Sequence, residues 1–344
     1  MAAAGRVGLL RVALLALALL TAACGASDAS VSSSGGGMSA AGAAESAGAS
    51  GIAGASATGG APAVGGGAGT TSAAAGEGGA SHGGSAGASH GGSANAGPPS
   101  ARQTLKPLGA GSSAPNGYLE YLPPGYDGST PTPLLVFWHG VGEDGNGSTD
   151  LQKVTSHGPP ELIAKDNWDN ARPFIVLSPQ FNVSSGEISP GTGCPSGMIV
   201  NAFFKWALQQ YSVDPKRVYL TGLSCGAIGA WDYLAEFKGS LVAAAVLLSG
   251  NPGPPDLAVS AWARAGCGLG DVAIWAAHGD KDSTVPYAPE HDTMTNVIAC
   301  PAPPRRAAMF TDVVGGSHDI WDPIYDLSGD RGDIYAWLLS NAKP

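Results

Sequence analysis

From residue 118 onward the chain alternates short apolar runs with longer stretches of helical spacing. Residues 118–122 predict a first strand, closed by Pro123-Pro124-Gly125. Residues 134–138 are continuously apolar, the pattern of a strand covered on both faces. Residues 174–177 form a second such run, ended by Pro179. Further strands are expected at 217–221, 243–248, 272–277 and 307–313. Helices are expected at 202–211, 227–237, 286–299 and 333–341. Strands that alternate with helices in this way imply an α/β class, with a mostly parallel sheet and helices on both faces.

The pattern is absent upstream. Residues 25–104 are dominated by Gly, Ala and Ser, with almost no large apolar side chain. Such a segment buries too little surface to offset its chain entropy, so it reads as a disordered linker. It repeats the octet Gly79-Ala80-Ser81-His82-Gly83-Gly84-Ser85-Ala86 at 87–94. The repeat reads as part of a flexible tether; ~75 residues of this type reach on the order of 50 Å. The globular part is then 105–344, a length that suits one large domain.

Residues 1–24 read as an export signal. Arg6 and Arg11 precede an apolar run at 12–20, too short to span a bilayer. Leu20-Thr21-Ala22-Ala23-Cys24-Gly25 resembles a bacterial lipoprotein signal, with Leu20 one place further from the cysteine than usual. That resemblance implies lipidation of Cys24 and anchoring to the membrane of the cell envelope. The alternative is an ordinary cleaved signal and a secreted protein, with Cys24 incidental. Export gives the other four cysteines a disulfide reading. Three pairings are open and the sequence does not choose among them; the expectation adopted is Cys194 with Cys225 and Cys267 with Cys300. No C-x-x-C spacing or His/Cys cluster points to a metal. The formal charge of −10, without a basic block, argues against a nucleic-acid partner.

The candidate chemistry sits at strand ends. Gly222-Leu223-Ser224-Cys225-Gly226 is a G-x-S-x-G pentapeptide. The linker contains three decoys, centred on Ser81, Ser85 and Ser89, but none has a strand before it and a helix after it. Ser224 has both, the setting of a nucleophile elbow. The strand at 272–277 runs into His278-Gly279-Asp280-Lys281-Asp282, which offers two candidate acids. The last strand runs into Gly315-Gly316-Ser317-His318, a glycine-rich loop able to bring a base toward the serine. The backbone N–H groups of Cys225 and Val141 are the candidate oxyanion donors. His157 and His291 read as surface residues and His278 as structural. In Arg331-Gly332-Asp333, Asp333 reads as a helix cap.

Several stretches carry a resemblance: Y-L-P-P-G-Y from Tyr121, V-F-W-H-G-V-G-E-D-G from Val136, Y-L-T-G-L-S-C-G from Tyr219, H-G-D-K-D-S-T-V-P from His278 and S-H-D-I-W from Ser317. Together these resemble α/β-hydrolase esterases of the polyhydroxybutyrate-depolymerase-like, feruloyl- and acetylxylan-esterase and phospholipase/carboxylesterase groups. The resemblance implies an α/β-hydrolase fold and a Ser224–His318–Asp282 triad, with Asp282 preferred over Asp280. It implies no metal or organic cofactor, and a small-molecule or polymeric ester as substrate. Two alternatives stand beside it. One is a peptidase on the same fold. The other is a non-catalytic surface lipoprotein that binds carbohydrate, with Trp138, Trp231 and Trp321 as stacking surfaces. Residues 183–198 are a Gly/Ser/Pro-rich excursion after a strand that fits one pocket wall. The oligomeric state is not encoded in any of these features.

Overall fold

The computed structural model describes residues 102–109, 111–183, 188–189, 192–253, 258–303 and 305–344. The expected export signal, Cys24, the octet repeat and the expected linker up to residue 101 lie outside the described residues, as do parts of the 183–198 excursion.

Eight strands form one sheet: β1 (Thr104–Lys106), β2 (Tyr118–Tyr121), β3 (Thr132–Trp138), β4 (Ile175–Pro179), β5 (Val213–Leu223), β6 (Ala244–Leu248), β7 (Ala273–Gly279) and β8 (Ala308–Val313). Their order across the sheet is β1-β2-β4-β3-β5-β6-β7-β8. β1–β2 and β2–β4 pair antiparallel and every other pair is parallel. This is the strand order of the α/β-hydrolase fold.

Side chains alternate across each strand, so one strand feeds two cores. From β3, Leu134, Val136 and Trp138 face one way. They pack with residues of α2 (Gly197–Gln210), α3 (Cys225–Phe237) and α5 (Tyr287–Ala299). Leu135 and Phe137 face the other way. They join residues of α1 (Gly158–Ala164), α6 (Asp322–Tyr325) and α7 (Ile334–Ser340). A short α4 (Ala261–Ala265) joins the first layer through Ala261. Fully burying one such side chain stabilises by about 1.5–3 kcal/mol.

The elements expected from periodicity are present. Those not expected are β1, α1, α4 and α6. α1 begins Gly158-Pro159-Pro160, which reads as a breaker; the prolines occupy its first turn, where a missing N–H costs nothing. Asp333 caps α7, accepting from the N–H groups of Tyr335 and Ala336. The disulfides pair Cys194 with Cys225 and Cys267 with Cys300. No described helix is long and apolar enough to cross a membrane.

Candidate active site

β5 ends at Leu223, and α3 begins two residues later at Cys225. Ser224 alone makes the turn, at φ 49°, ψ −120°, a conformation that strains a residue with a Cβ. Its own N–H is tied to the Leu248 carbonyl of the neighbouring strand at 2.9 Å. The flanking glycines are steric requirements. A Cβ at Gly222 would lie 2.8 Å from the Gly226 backbone, and one at Gly226 would lie 2.0 Å from the Trp138 carbonyl oxygen. α3 is therefore jammed against the end of β3. The start of the Gly140 loop comes with it: a Cβ on Gly140 would sit 3.6 Å from that of Ser224.

The three side chains picked from sequence converge. His318 Nε2 is 2.8 Å from Ser224 Oγ, and His318 Nδ1 is 2.7 Å from Asp282 Oδ2. The other oxygen of Asp282, Oδ1, accepts from the N–H groups of Thr284 and Val285 at 2.8 and 2.9 Å. The Asp282 side chain is fully buried. Burial pushes its carboxyl up, but His318 and the two N–H groups outweigh this and hold it below the usual range. Asp280 does not reach His318. It accepts from the Gly315 N–H at 2.6 Å and so straps the His318 loop to the Asp282 loop. The Ser249 hydroxyl donates to the His318 carbonyl at 2.8 Å, and Trp321 meets the His318 ring edge-on at 5.1 Å. Both contacts limit how far the imidazole can swing.

The candidate oxyanion donors lie where local structure leaves N–H groups free of helical pairing. Cys225 is the first residue of α3 and has no earlier helical carbonyl to receive its N–H. Val141 opens a short 3-10 turn (Val141–Glu143) and stands in the same position. The preceding His139 is buried and stacks on Phe181 at 4.2 Å. Its Nδ1–H donates to the Gly140 carbonyl at 2.6 Å, and its Nε2 accepts from the Phe181 N–H at 3.2 Å. Those partners fix a neutral ring. Burial agrees, pushing its pKa down to about 4.

The Cys194–Cys225 disulfide fastens the 192–196 segment to the residue after Ser224. Beside it a cleft of about 430 Å³ runs along α3, lined among others by Ser189, Thr192, Ile228, Asn251 and Arg264. Trp138 and Trp231 are wholly buried and Trp321 nearly so, which leaves none of them an open face for a sugar ring. His157 and His291 are part-exposed, as expected. His157, Glu161 and Asp322 come close enough to hold a cation, but all three are at least partly exposed.

One residue escaped the sequence reading, and another lies closer to the site than its structural reading implied. His278, expected as a structural residue, touches Asp282 directly: its Nε2 is 3.0 Å from Asp282 Oδ2. Glu290, in the first turn of α5, lies 2.7 Å behind it. The position of His278 one residue before Gly279 was the available signal. Glu290 gave none, because an acid in the first turn of a helix ordinarily faces water.

No family model matches the chain, and no curated protein matches it. Solved structures are similar to it. A thermostable esterase shares 21% identity at a TM-score of 0.49, over 71% of this chain. The chain spans only 64% of that esterase. Esterase 2 of the planctomycete Thermogutta terrifontis shares 16% identity at a TM-score of 0.48, over 70% of this chain and 89% of that one. TT1662 from Thermus thermophilus shares 18% identity at 0.45, over 70% and 98%. The strand order, rather than these distant likenesses, defines the fold.

Proposed function

We propose that the protein is a serine hydrolase of carboxylic esters, acting through an acyl-enzyme on Ser224. The observation that carries this reading is the unbroken path from Ser224 Oγ through His318 to Asp282, at 2.8 and 2.7 Å, mounted on the carboxyl ends of β5, β7 and β8. Ligands of open α/β sheets bind at that end. The triad partners follow in the chain order Ser, Asp, His of this fold.

In this reading Ser224 Oγ attacks the ester carbonyl while His318 Nε2 takes its proton. Asp282 holds the ring with Nδ1–H inward and balances the imidazolium. The oxyanion falls between the N–H groups of Cys225 and Val141; losing one such donor costs about 2.7–4 kcal/mol in the transition state. His318 then protonates the departing alcohol, and the same ring activates the water that cleaves the acyl-enzyme. No step calls for a metal or organic cofactor. Cys24, as a lipidated N-terminus after export, would tether the domain to the envelope, where external acylated polysaccharide or polyester is the substrate class in reach.

The test is hydrolysis of short p-nitrophenyl esters beside chromogenic peptides, for wild type and Ser224→Ala. The expected result is ester turnover that exceeds peptide turnover and disappears in the variant. Turnover that persists in Ser224→Ala overturns the mechanism; faster peptide cleavage overturns the substrate class.

A further inference from the structure

The Asp282 carboxylate has a second histidine on its far side. His278 leaves the end of β7 with a wholly buried side chain. Its Nε2 faces Asp282 Oδ2 at 3.0 Å and the Val285 carbonyl at 3.1 Å. Its Nδ1 faces Glu290 Oε2 at 2.7 Å. The Glu290 side chain is also wholly buried. Its Oε1 accepts from the Trp231 indole N–H at 2.6 Å, and its Oε2 from the Gly250 N–H at 3.2 Å. Every atom facing the two nitrogens of His278 is an oxygen acceptor. A neutral imidazole offers one proton to such neighbours, whereas an imidazolium offers two and satisfies both sides.

We propose that His278 and Glu290 form a buried ion pair behind the triad, in which cationic His278 holds Asp282 in place and offsets its charge. This makes His278 a positioning residue for the reaction proposed above, and the proposal rests on that reading of Ser224, His318 and Asp282. Removing either partner from a buried pair leaves the other uncompensated, so the two act as a unit. Burial opposes the charge on His278, but the Glu290 hydrogen bond and charge, the Val285 carbonyl and Asp282 together raise its pKa.

The consequence for catalysis has a sign. The charge nearest His318 is Asp282, with His278 directly behind it. A cation there reduces the field that favours the His318 imidazolium. The remaining groups around His278 do not compensate. Tyr287, from α5, meets its ring edge-on at 5.8 Å, with its hydroxyl turned to Asp312 of β8. Asp280 is engaged with the Gly315 N–H, and Lys281 is exposed. Glu290→Gln removes the anion that keeps His278 charged. His278 then becomes neutral and keeps one N–H for Asp282, whose charge is no longer offset. The acidic limb of the pH–rate profile should therefore move to higher pH.

The experiment uses the full chain. kcat/KM for p-nitrophenyl acetate is measured from pH 4.5 to 9 for wild type and Glu290→Gln. Histidine ring nitrogens are followed by ¹⁵N NMR at pH 8 in the same proteins. The proposal expects the acidic limb to shift upward in the variant, with the plateau lowered less than tenfold. It also expects one wild-type histidine, next to the Tyr287 ring, that carries two ring protons at pH 8 and loses one in Glu290→Gln. A variant whose plateau falls while its limb stays in place makes the pair a packing feature and overturns the proposal. So does a wild-type His278 with a single ring proton at pH 8. Should Glu290→Gln fail to fold, the wild-type spectrum decides alone. Should wild type prove inactive, the ester-hydrolase reading fails on that count, while the spectrum still reports on the pair.

Discussion

Asp282 collects four donors: the ring nitrogens of His318 and His278 on one oxygen, and two backbone N–H groups on the other. An amide at that position must turn an NH₂ toward one set of donors, which costs either the loop or the His318 tautomer. Asp282→Asn should lower kcat on a short ester by about 10³–10⁴-fold; steady-state kinetics check this, and a loss below tenfold contradicts the role. Asp280→Asn keeps an oxygen for the Gly315 N–H and should leave kcat within a few-fold. The same assay thus separates the two aspartates. Gly226→Ala carries a purely steric prediction. Its Cβ would meet backbone oxygen at 2.0 Å, so α3 must shift and the variant should lose both activity and a large part of its stability, read by ester turnover and thermal melting.

At the scale of elements, the sheet was almost wholly legible because a strand buried on both faces has to be apolar throughout, as residues 134–138 and 244–248 are. β1 was not legible: three largely exposed residues on a sheet edge carry no pattern. α4 and α6 span five and four residues, too few for a helical period to repeat. The convergence of Ser224, His318 and Asp282 was legible because each follows a readable strand. The His278–Glu290 pair was not, because its meaning depends on α5 turning Glu290 inward under β7, a tertiary fact. The two disulfides belong to this scale as well. Cys267 and Cys300 join the segment before β7 to the end of α5, away from the candidate site, across 33 residues. Replacing both by Ala should cost about 3–4 kcal/mol, the chain-entropy value for such a loop, while kcat at low temperature stays near wild type. Replacing Cys194 and Cys225 by Ala should cost a similar amount and also raise KM, because that bridge fastens a wall of the cleft to the residue beside Ser224. Urea unfolding and ester kinetics on both double variants check the contrast.

For the molecule as a whole, the buried charges around Asp282 set opposing limits on stability. The Asp282 pKa is lowered on folding, so its contribution is complete above the ordinary carboxylate value of about 3.8 and is lost as pH falls through the lowered one. The His278 pKa is raised on folding, so its contribution is complete below the ordinary value of about 6.5 and is lost as pH rises through the raised one. Thermal melting from pH 3 to 10 should therefore show its highest Tm between about pH 4 and 6.5, with a fall on the alkaline side that is weaker in Glu290→Gln. An alkaline limb identical in the two proteins would remove His278 from the account. The fold supplies the frame for all of this: parallel strands end on one edge, and that edge is where Ser224, Asp282 and His318 emerge.

The account turns on Ser224 being an activated nucleophile. The most direct measurement is reaction of the full chain with a fluorophosphonate, read by intact mass and peptide mapping beside Ser224→Ala. The account predicts a single adduct on the peptide that carries Ser224, absent from the variant. A folded wild-type protein that takes up no label, or one that is labelled elsewhere, would contradict it.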